Sequence, residues 1–307
     1  MSRGVLDLIG NTPIIKLRNV VPDGAAEVWL KFEAGNPTGS YKDRMAMSVL
    51  NNAMKRRDVS PGDTIVEYTG GSTGSSLAFV SAALGLKFVA VFSDAFSQSK
   101  QRTMEAFGAE VIVEKSYGKG ITPELIERMK NRALSLCDNS NAYYADQFGS
   151  PDVTLGYEPM GQEIANSLDR NIDIFCASVG TGGAIMGAWQ GLTKSDTKVS
   201  VVAFEPLQSP FLTTGKGGAH QVEGIGVGFE PPFLDRAALS DIRTIDQDLG
   251  FSMCKRLAKE EGIFCGASTG LNVAGAIKLA KEIKPEQRVV TLACDSGLKY
   301  LGGHIYA

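Results

Sequence analysis

The 307-residue chain predicts an α/β fold of two doubly wound domains with mainly parallel sheets. Three observations predict it. Apolar runs of strand length alternate with helix-period patterns from one end to the other. Several of those runs are apolar nearly throughout, as parallel strands covered on both faces require. The length is about twice the roughly 150 residues of an ordinary domain, and no low-complexity linker interrupts it, so two domains must be closely packed.

The elements follow in order. A strand at 28–32 precedes a helix at 43–57, and a strand at 64–67 precedes a helix at 75–84. The pattern repeats with strands at 88–92 and 110–113 and helices at 99–107 and 123–136. A helix at 160–167 leads to the longest apolar run, 172–179, and then to a strand at 199–204. Helices at 249–261 and 270–282 and a strand at 288–294 close the chain. Such βαβ alternation argues for doubly wound sheets rather than segregated strands and helices. The stretch 207–232 is rich in Gly and Pro and lacks periodicity; a loop of that length is functional, mobile or a tolerated surface insertion.

Composition excludes several classes. Hydrophobic residues are 43% and charged residues 21%, which rules out disorder. The net charge of −3 supplies no basic field for nucleic acid or an anionic membrane. No run approaches the roughly 20 apolar residues that span a bilayer. Met1-Ser2-Arg3-Gly4-Val5 lacks the apolar core of a signal peptide, so the expected location is the cytoplasm. The five cysteines (Cys137, Cys176, Cys254, Cys265 and Cys294) show no C-x-x-C spacing, and neither His220 nor His304 has a ligand at metal spacing. No metal is expected, and the thiols read as reduced.

Glycine is in surplus, at 35 residues. Val179-Gly180-Thr181-Gly182-Gly183-Ala184 follows the 172–179 strand, and the helix start after it offers unpaired N–H groups for an anion such as phosphate. It is neither a Walker A loop nor a full G-x-G-x-x-G fingerprint, and a tight turn with no ligand is the alternative. Tyr68-Thr69-Gly70-Gly71-Ser72-Thr73-Gly74-Ser75-Ser76 joins another strand to a helix, with hydroxyls and bare amides suited to a carboxylate or phosphate. Gly224-Ile225-Gly226-Val227-Gly228 would let backbone lie against something flat, or mark a strand edge. Finally, Asn36-Pro37-Thr38-Gly39-Ser40-Tyr41-Lys42-Asp43-Arg44 delivers Lys42 to the first turn of a helix, where the dipole disfavours its charge and favours a nucleophilic amine. A solvated surface lysine is the alternative there.

Taken with Ile9-Gly10-Asn11-Thr12-Pro13 and Cys294-Asp295-Ser296-Gly297-Leu298-Lys299-Tyr300-Leu301, this ordered set resembles the cysteine synthase (O-acetylserine sulfhydrylase) family. These are pyridoxal phosphate enzymes of the fold type shared with cystathionine β-synthase and threonine dehydratase, fold type II. The resemblance covers nearly the whole chain. It implies pyridoxal 5'-phosphate in the cleft between the domains. The smaller, mobile domain is expected at 43–148 and the larger, cofactor-binding domain at 1–42 and 149–307. Lys42 looks like the Schiff-base lysine; Gly180, Thr181, Gly182, Gly183 and Ala184 like the phosphate cup; Ser296, rather than adjacent Asp295, like the partner of the pyridine nitrogen. Thr69, Gly70, Gly71, Ser72 and Thr73 resemble the loop that takes the substrate α-carboxylate, with Gln147 as its side-chain partner. The resemblance also implies that Ser72 faces the cofactor and that Gly224 lies beside the substrate.

The resemblance implies β-replacement on an O-activated serine through an aminoacrylate, with sulfide or another small nucleophile as acceptor. It also implies a homodimer. Two departures stand out. Where the family reads Thr-Ser-Gly-Asn-Thr-Gly, this chain has Thr69-Gly70-Gly71-Ser72-Thr73-Gly74; Gly70 removes a hydroxyl and is expected to add room. Gly156-Tyr157-Glu158-Pro159-Met160-Gly161 replaces a stretch with a His and paired threonines. Three further readings stay open. One is β-elimination, as in a cysteine desulfhydrase or serine/threonine dehydratase. A second is a catalytically weak homologue that binds a serine acetyltransferase-type tail. The third is a nucleotide enzyme built on 180–183.

Overall fold

The structure is a computed structural model that describes residues 4–118, 120–140 and 142–306. The first three residues, used above in reading the N-terminus, lie outside them. Along the chain run β1 (Ile14–Lys16), β2 (Glu27–Lys31), α1 (Lys42–Arg56), β3 (Thr64–Tyr68), α2 (Ser72–Leu84), β4 (Lys87–Ser93) and α3 (Gln98–Ala106). There follow β5 (Glu110–Glu114), α4 (Pro123–Ser140), β6 (Tyr143–Tyr144), α5 (Asp152–Ser167), β7 (Ile174–Ser178), α6 (Gly183–Lys194) and β8 (Ser200–Pro206). The chain ends with α7 (Phe211–Thr214), β9 (Asp241–Ile245), α8 (Gln247–Arg256), α9 (Ala267–Ala280) and β10 (Arg288–Leu292). None of the described helices is long and apolar enough to cross a membrane.

Two compact units divide the chain: Met1–Ile9 with Lys42–Gly156, and Gly10–Tyr41 with Tyr157–Ala307. The second division falls inside α5. In the first unit β5-β4-β3-β6 form a four-stranded sheet that is parallel throughout. Its core gathers Val66, Tyr68, Val91, Leu125, Met129 and Ala133. Asp43 in the first turn of α1 and Lys55 and Arg56 in its last turn complement the helix dipole. Gly156 lies on α1 at a closeness only glycine permits, since a Cβ there would fall 2.7 Å from the Arg44 carbonyl oxygen.

The second unit holds a six-stranded sheet, β1-β2-β10-β7-β8-β9, parallel except for the β1–β2 hairpin pair. Helix α9 is buried along almost its whole length, which is why it lacks a polar face. Small residues set how near it comes: a Cβ on Gly270 would fall 2.1 Å from the Gly250 carbonyl oxygen of α8. The crossing of α5 and α6 is built the same way, with Gly161 against Ala188 and Gly191 against the Glu158 carbonyl. Helix packing thus accounts for the two glycines that bound that stretch, Gly156 and Gly161. Tyr157 between those glycines is fully buried, its ring 5.5 Å from that of Tyr41.

Every strand and helix read from the sequence is present. Three short strands were not read: β1, β6 and β9. Helix α5 begins at Asp152, eight residues ahead of the expected start, because Gly156 and Pro159 interrupt the local helix signal without breaking the helix. The 207–232 stretch carries only the one-turn α7. It is nevertheless fastened: Glu205 accepts from the N–H groups of Leu212 and Thr213 at 2.7 and 2.9 Å.

Candidate active site

In the first unit, Lys42 is the first residue of α1, as expected. The 69–73 loop is built at the end of β3. The Thr69 hydroxyl oxygen accepts from the Gly71 and Gly74 N–H groups at 3.0 and 3.1 Å, closing the loop on itself. Gly71 takes φ +135°, a conformation closed to residues with a Cβ. Ser72 and Thr73 occupy the first turn of α2, where the amides precede the helical ladder. Thr73 Oγ1 donates to Gln147 Oε1 at 2.7 Å, and Gln147 Nε2 donates to the Tyr68 carbonyl at 3.0 Å. The structure therefore brings Gln147 to the loop across 74 residues of sequence.

Gly70 does not add room. A Cβ placed on it would fall 2.9 Å from Cε1 of Phe96, so the half-buried aromatic ring stands where the family's serine side chain would project. Phe96 comes from the turn after β4, its N–H donating to the Ser93 carbonyl at 3.1 Å. Beside it, the alkyl chain of buried Lys100 covers Gly71, whose Cβ would fall 2.1 Å from Lys100 Cδ. Neither residue was singled out in the sequence, since a Phe and a Lys near a helix start carry no motif of their own.

Beneath the loop sits Glu67, fully buried in β3. Its Oε1 accepts from the Tyr68 N–H at 3.0 Å and its Oε2 from the Gln147 N–H at 2.9 Å. Burial pushes its carboxyl up to about 8, against the pull of the N–H bond from Gln147. A glutamate inside an otherwise apolar strand was the signal for this residue.

In the second unit, the 180–183 turn ends at Gly182, which takes φ +85° and caps α6. The Gly183 N–H donates to Thr181 Oγ1 at 3.2 Å. A Cβ on Gly180 would fall 2.3 Å from the Gly224 carbonyl oxygen, and one on Gly182 would fall 2.8 Å from the Leu234 nitrogen. Backbone thus fills the space where side chains at 180 and 182 would stand. The 224–228 stretch is pinned to it where the Gly226 N–H donates to the Val179 carbonyl at 3.0 Å. His220 secures the same stretch: Nδ1 accepts from the Val222 N–H at 3.2 Å, so Nε2 carries the proton donated to the Gly226 carbonyl at 3.0 Å. Burial holds His220 below its ordinary pKa, which favours that neutral tautomer. Ala184 lies in the first turn of α6.

Ser296 caps the short helix Gly297–Tyr300, its hydroxyl oxygen accepting from the Leu298 N–H at 3.3 Å. Neighbouring Asp295 is buried, with Oδ2 taking the Tyr300 hydroxyl at 2.6 Å. Tyr300 thus occupies one oxygen of Asp295, while the hydroxyl at 296 accepts from Leu298 and keeps its own proton to give. The strap that leads into Lys42 is laced to the same segment: Ser296 N–H donates to the Gly39 carbonyl at 2.9 Å and Tyr41 N–H to the Cys294 carbonyl at 3.0 Å.

The residues of the second unit fit the phosphate of pyridoxal phosphate. The cup offers backbone N–H groups, a hydroxyl and a helix start with no space for side chains, which suits a phosphate. The chain belongs to the pyridoxal-phosphate dependent enzyme family, whose model matches residues 5–295. Pyridoxal 5'-phosphate is accordingly its cofactor. It is 38% identical to the cysteine synthase of Staphylococcus aureus, over 99% of this chain and 96% of that one. Among solved structures it is similar to O-ureido-L-serine synthase, at a TM-score of 0.93 and 33% identity, covering 100% of this chain and 95% of that one. A hydrogen sulfide-producing enzyme from Fusobacterium nucleatum is similar at a TM-score of 0.90 and 31% identity, covering 98% and 100%.

Proposed function

We propose that the protein performs β-replacement on an O-activated serine, joining a small nucleophile to the β-carbon. The observation that supports the reading is the Thr73–Gln147 hydrogen bond, which joins Gln147 to the 69–73 loop in a pyridoxal-phosphate dependent enzyme. Two similar proteins are named for making cysteine and O-ureido-L-serine, both β-substituted alanines.

Bound pyridoxal phosphate supplies the conjugated ring that takes up the electron pair released at the substrate's α-carbon. The chain's own residues do the rest. Lys42 Nζ would hold the cofactor and, as a free amine, would take up the substrate's α-proton. The amides of Gly180, Thr181, Gly182, Gly183 and Ala184 and the Thr181 hydroxyl would hold the phosphate, the Gly183 N–H turning to it from Thr181 Oγ1. Ser296 gives the ring nitrogen a neutral partner and so favours less protonation there than a carboxylate would. Gln147 uses one of its two Nε2 hydrogens on Tyr68 and has the other for the substrate α-carboxylate. The Thr69 hydroxyl, which accepts from two amides, turns its own proton to the same group, with Gly70, Gly71, Ser72 and Thr73 lining the site. Gly224 flanks the substrate. The β-carbon loses its C–O bond to the leaving group and gains a bond to sulfide or another nucleophile, while Lys42 holds the α-proton and returns it.

A panel of O-acetyl-, O-phospho- and O-ureido-serine with and without sulfide tests the reading. Formation of a β-substituted alanine supports it; release of pyruvate and ammonia regardless of nucleophile replaces it with β-elimination. That second reading is favoured by the absence of a hydroxyl at Gly70 and by the likeness to a hydrogen sulfide-producing enzyme. The assembly we expect is a cytoplasmic homodimer, readable by light scattering. A serine acetyltransferase-type C-terminal tail would compete with substrate for the 69–73 loop.

A further inference from the structure

Gln147 is held at three points, and two of them depend on one short stretch of β3. Its Nε2 donates to the Tyr68 carbonyl and its Oε1 accepts from Thr73, while its main-chain N–H donates to Glu67. Glu67 spans the gap between strand and loop, taking the Tyr68 N–H on one oxygen and the Gln147 N–H on the other. The segment that carries Gln147 has little regular structure: it follows the two-residue β6 and passes through Asp146 at φ +51°. Its attachment to β3 runs through the Ala145 N–H to the Val66 carbonyl at 3.0 Å and then through Glu67.

Burying a carboxyl costs several kcal/mol unless its bonds recover the loss, and an apolar residue would fill a strand interior more cheaply. Both bonds to Glu67 come from main-chain N–H groups, one on the strand and one on Gln147. An apolar residue of similar shape would leave the Gln147 N–H without an acceptor and its segment without that anchor.

We infer that Glu67 is the positioning residue of the α-carboxylate site: it fixes the main chain at Gln147 so that the second Nε2 hydrogen meets the substrate carboxylate. Glu67 itself touches neither substrate nor cofactor. The inference rests on the reading of Gln147 given under the proposed function.

The test uses the cofactor-loaded enzyme and the variants Glu67→Ala, Glu67→Gln, Gln147→Ala and Glu67→Gln/Gln147→Ala. Two readouts are taken: the KM for the amino-acid donor, and the dissociation constant for L-alanine, a probe with no leaving group, from the shift of the cofactor's visible band. Glu67→Ala is expected to weaken both by tenfold or more. Glu67→Gln, which keeps one acceptor oxygen, is expected to weaken both by two- to fivefold. The resting band and the KM for the nucleophile stay within twofold. In the Gln147→Ala background, Glu67→Gln is expected to add nothing. If Gln147→Ala weakens both readouts but neither Glu67 variant does, the inference fails and the carboxylate reading stands. If Gln147→Ala leaves both unchanged, the carboxylate reading fails. A Glu67→Gln effect that persists undiminished in the Gln147→Ala background overturns positioning through Gln147.

Discussion

Phe96 and Gly70 are matched: the ring edge of Phe96 stands 2.9 Å from the point where a side chain at residue 70 would begin. The glycine is thus required by its neighbour rather than left open for substrate. Gly70→Ser, which restores the hydroxyl of the family pattern, must displace the ring and should destabilise the protein by about 1–3 kcal/mol. Phe96→Ala in the same chain should recover part of that loss, giving a coupling of about 0.5–3 kcal/mol between the two positions. Urea midpoints of the four proteins, at constant slope, measure it.

The phosphate cup makes a second prediction. Gly180→Ala puts a methyl group 2.3 Å from the Gly224 carbonyl oxygen, where only backbone movement relieves the contact. A penalty of about 1.4 kcal/mol confined to the cup is a tenfold loss of cofactor affinity. Equilibrium dialysis of pyridoxal phosphate against the variant checks it. Cofactor affinity equal to the parent's would show that the 224–228 stretch does not constrain the cup.

Much of this was legible in the sequence. The strand–helix alternation and two glycine-marked junctions, after β3 and after β7, placed one strand of each sheet, because glycine at a strand end is local information. What escaped was set by tertiary contact. Strands β1 and β6 are too short to show a period, and β6 exists only through pairing with β3; β9, with two charged residues in five, lacks the apolar run that marks the other strands. Helix α5 hid its first two turns behind Gly156 and Pro159; Gly156 is there because it lets α5 lie close to α1. In the site, Lys42, the cup and the 69–73 loop lay in readable motifs. Phe96, Lys100 and Glu67 did not, since each acts on a motif from outside it.

The Asp295–Tyr300 bond predicts which acid-group change hurts the fold. Tyr300→Phe removes the 2.6 Å hydroxyl donor from a buried carboxylate and should cost about 1–3 kcal/mol. Ser296→Ala should cost less than 1 kcal/mol or so, on the order of a weak cap, while altering the pH dependence of the cofactor's visible band. The opposite pattern would assign the ring-nitrogen role to Asp295.

Glu67 predicts a pH dependence of stability. Its carboxyl sits at about 8 in the fold and near 4.5 when unfolded. Between those values the folded chain keeps a proton that the unfolded chain releases, so this group's contribution is full below about 4.5 and is lost as pH rises through about 8. Asp146 adds to the rise, and Tyr68, Tyr144 and Cys137 share the same surroundings. Glu67→Gln should flatten the stability curve across that window. Denaturant midpoints from pH 5 to 9 for parent and variant check the sign.

The central claim is that Lys42 carries the cofactor and moves the α-proton. Its most direct measurement is Lys42→Ala, purified with pyridoxal phosphate, followed by visible absorption and by turnover of an O-activated serine with sulfide. Lys42→Ala is expected to lose the covalent chromophore, with borohydride no longer fixing cofactor to the chain, and to lower turnover by roughly 10³-fold or more, on the scale expected when an enzyme loses both a covalent and an acid–base role. A variant that keeps the parent's absorption band and its turnover would contradict it.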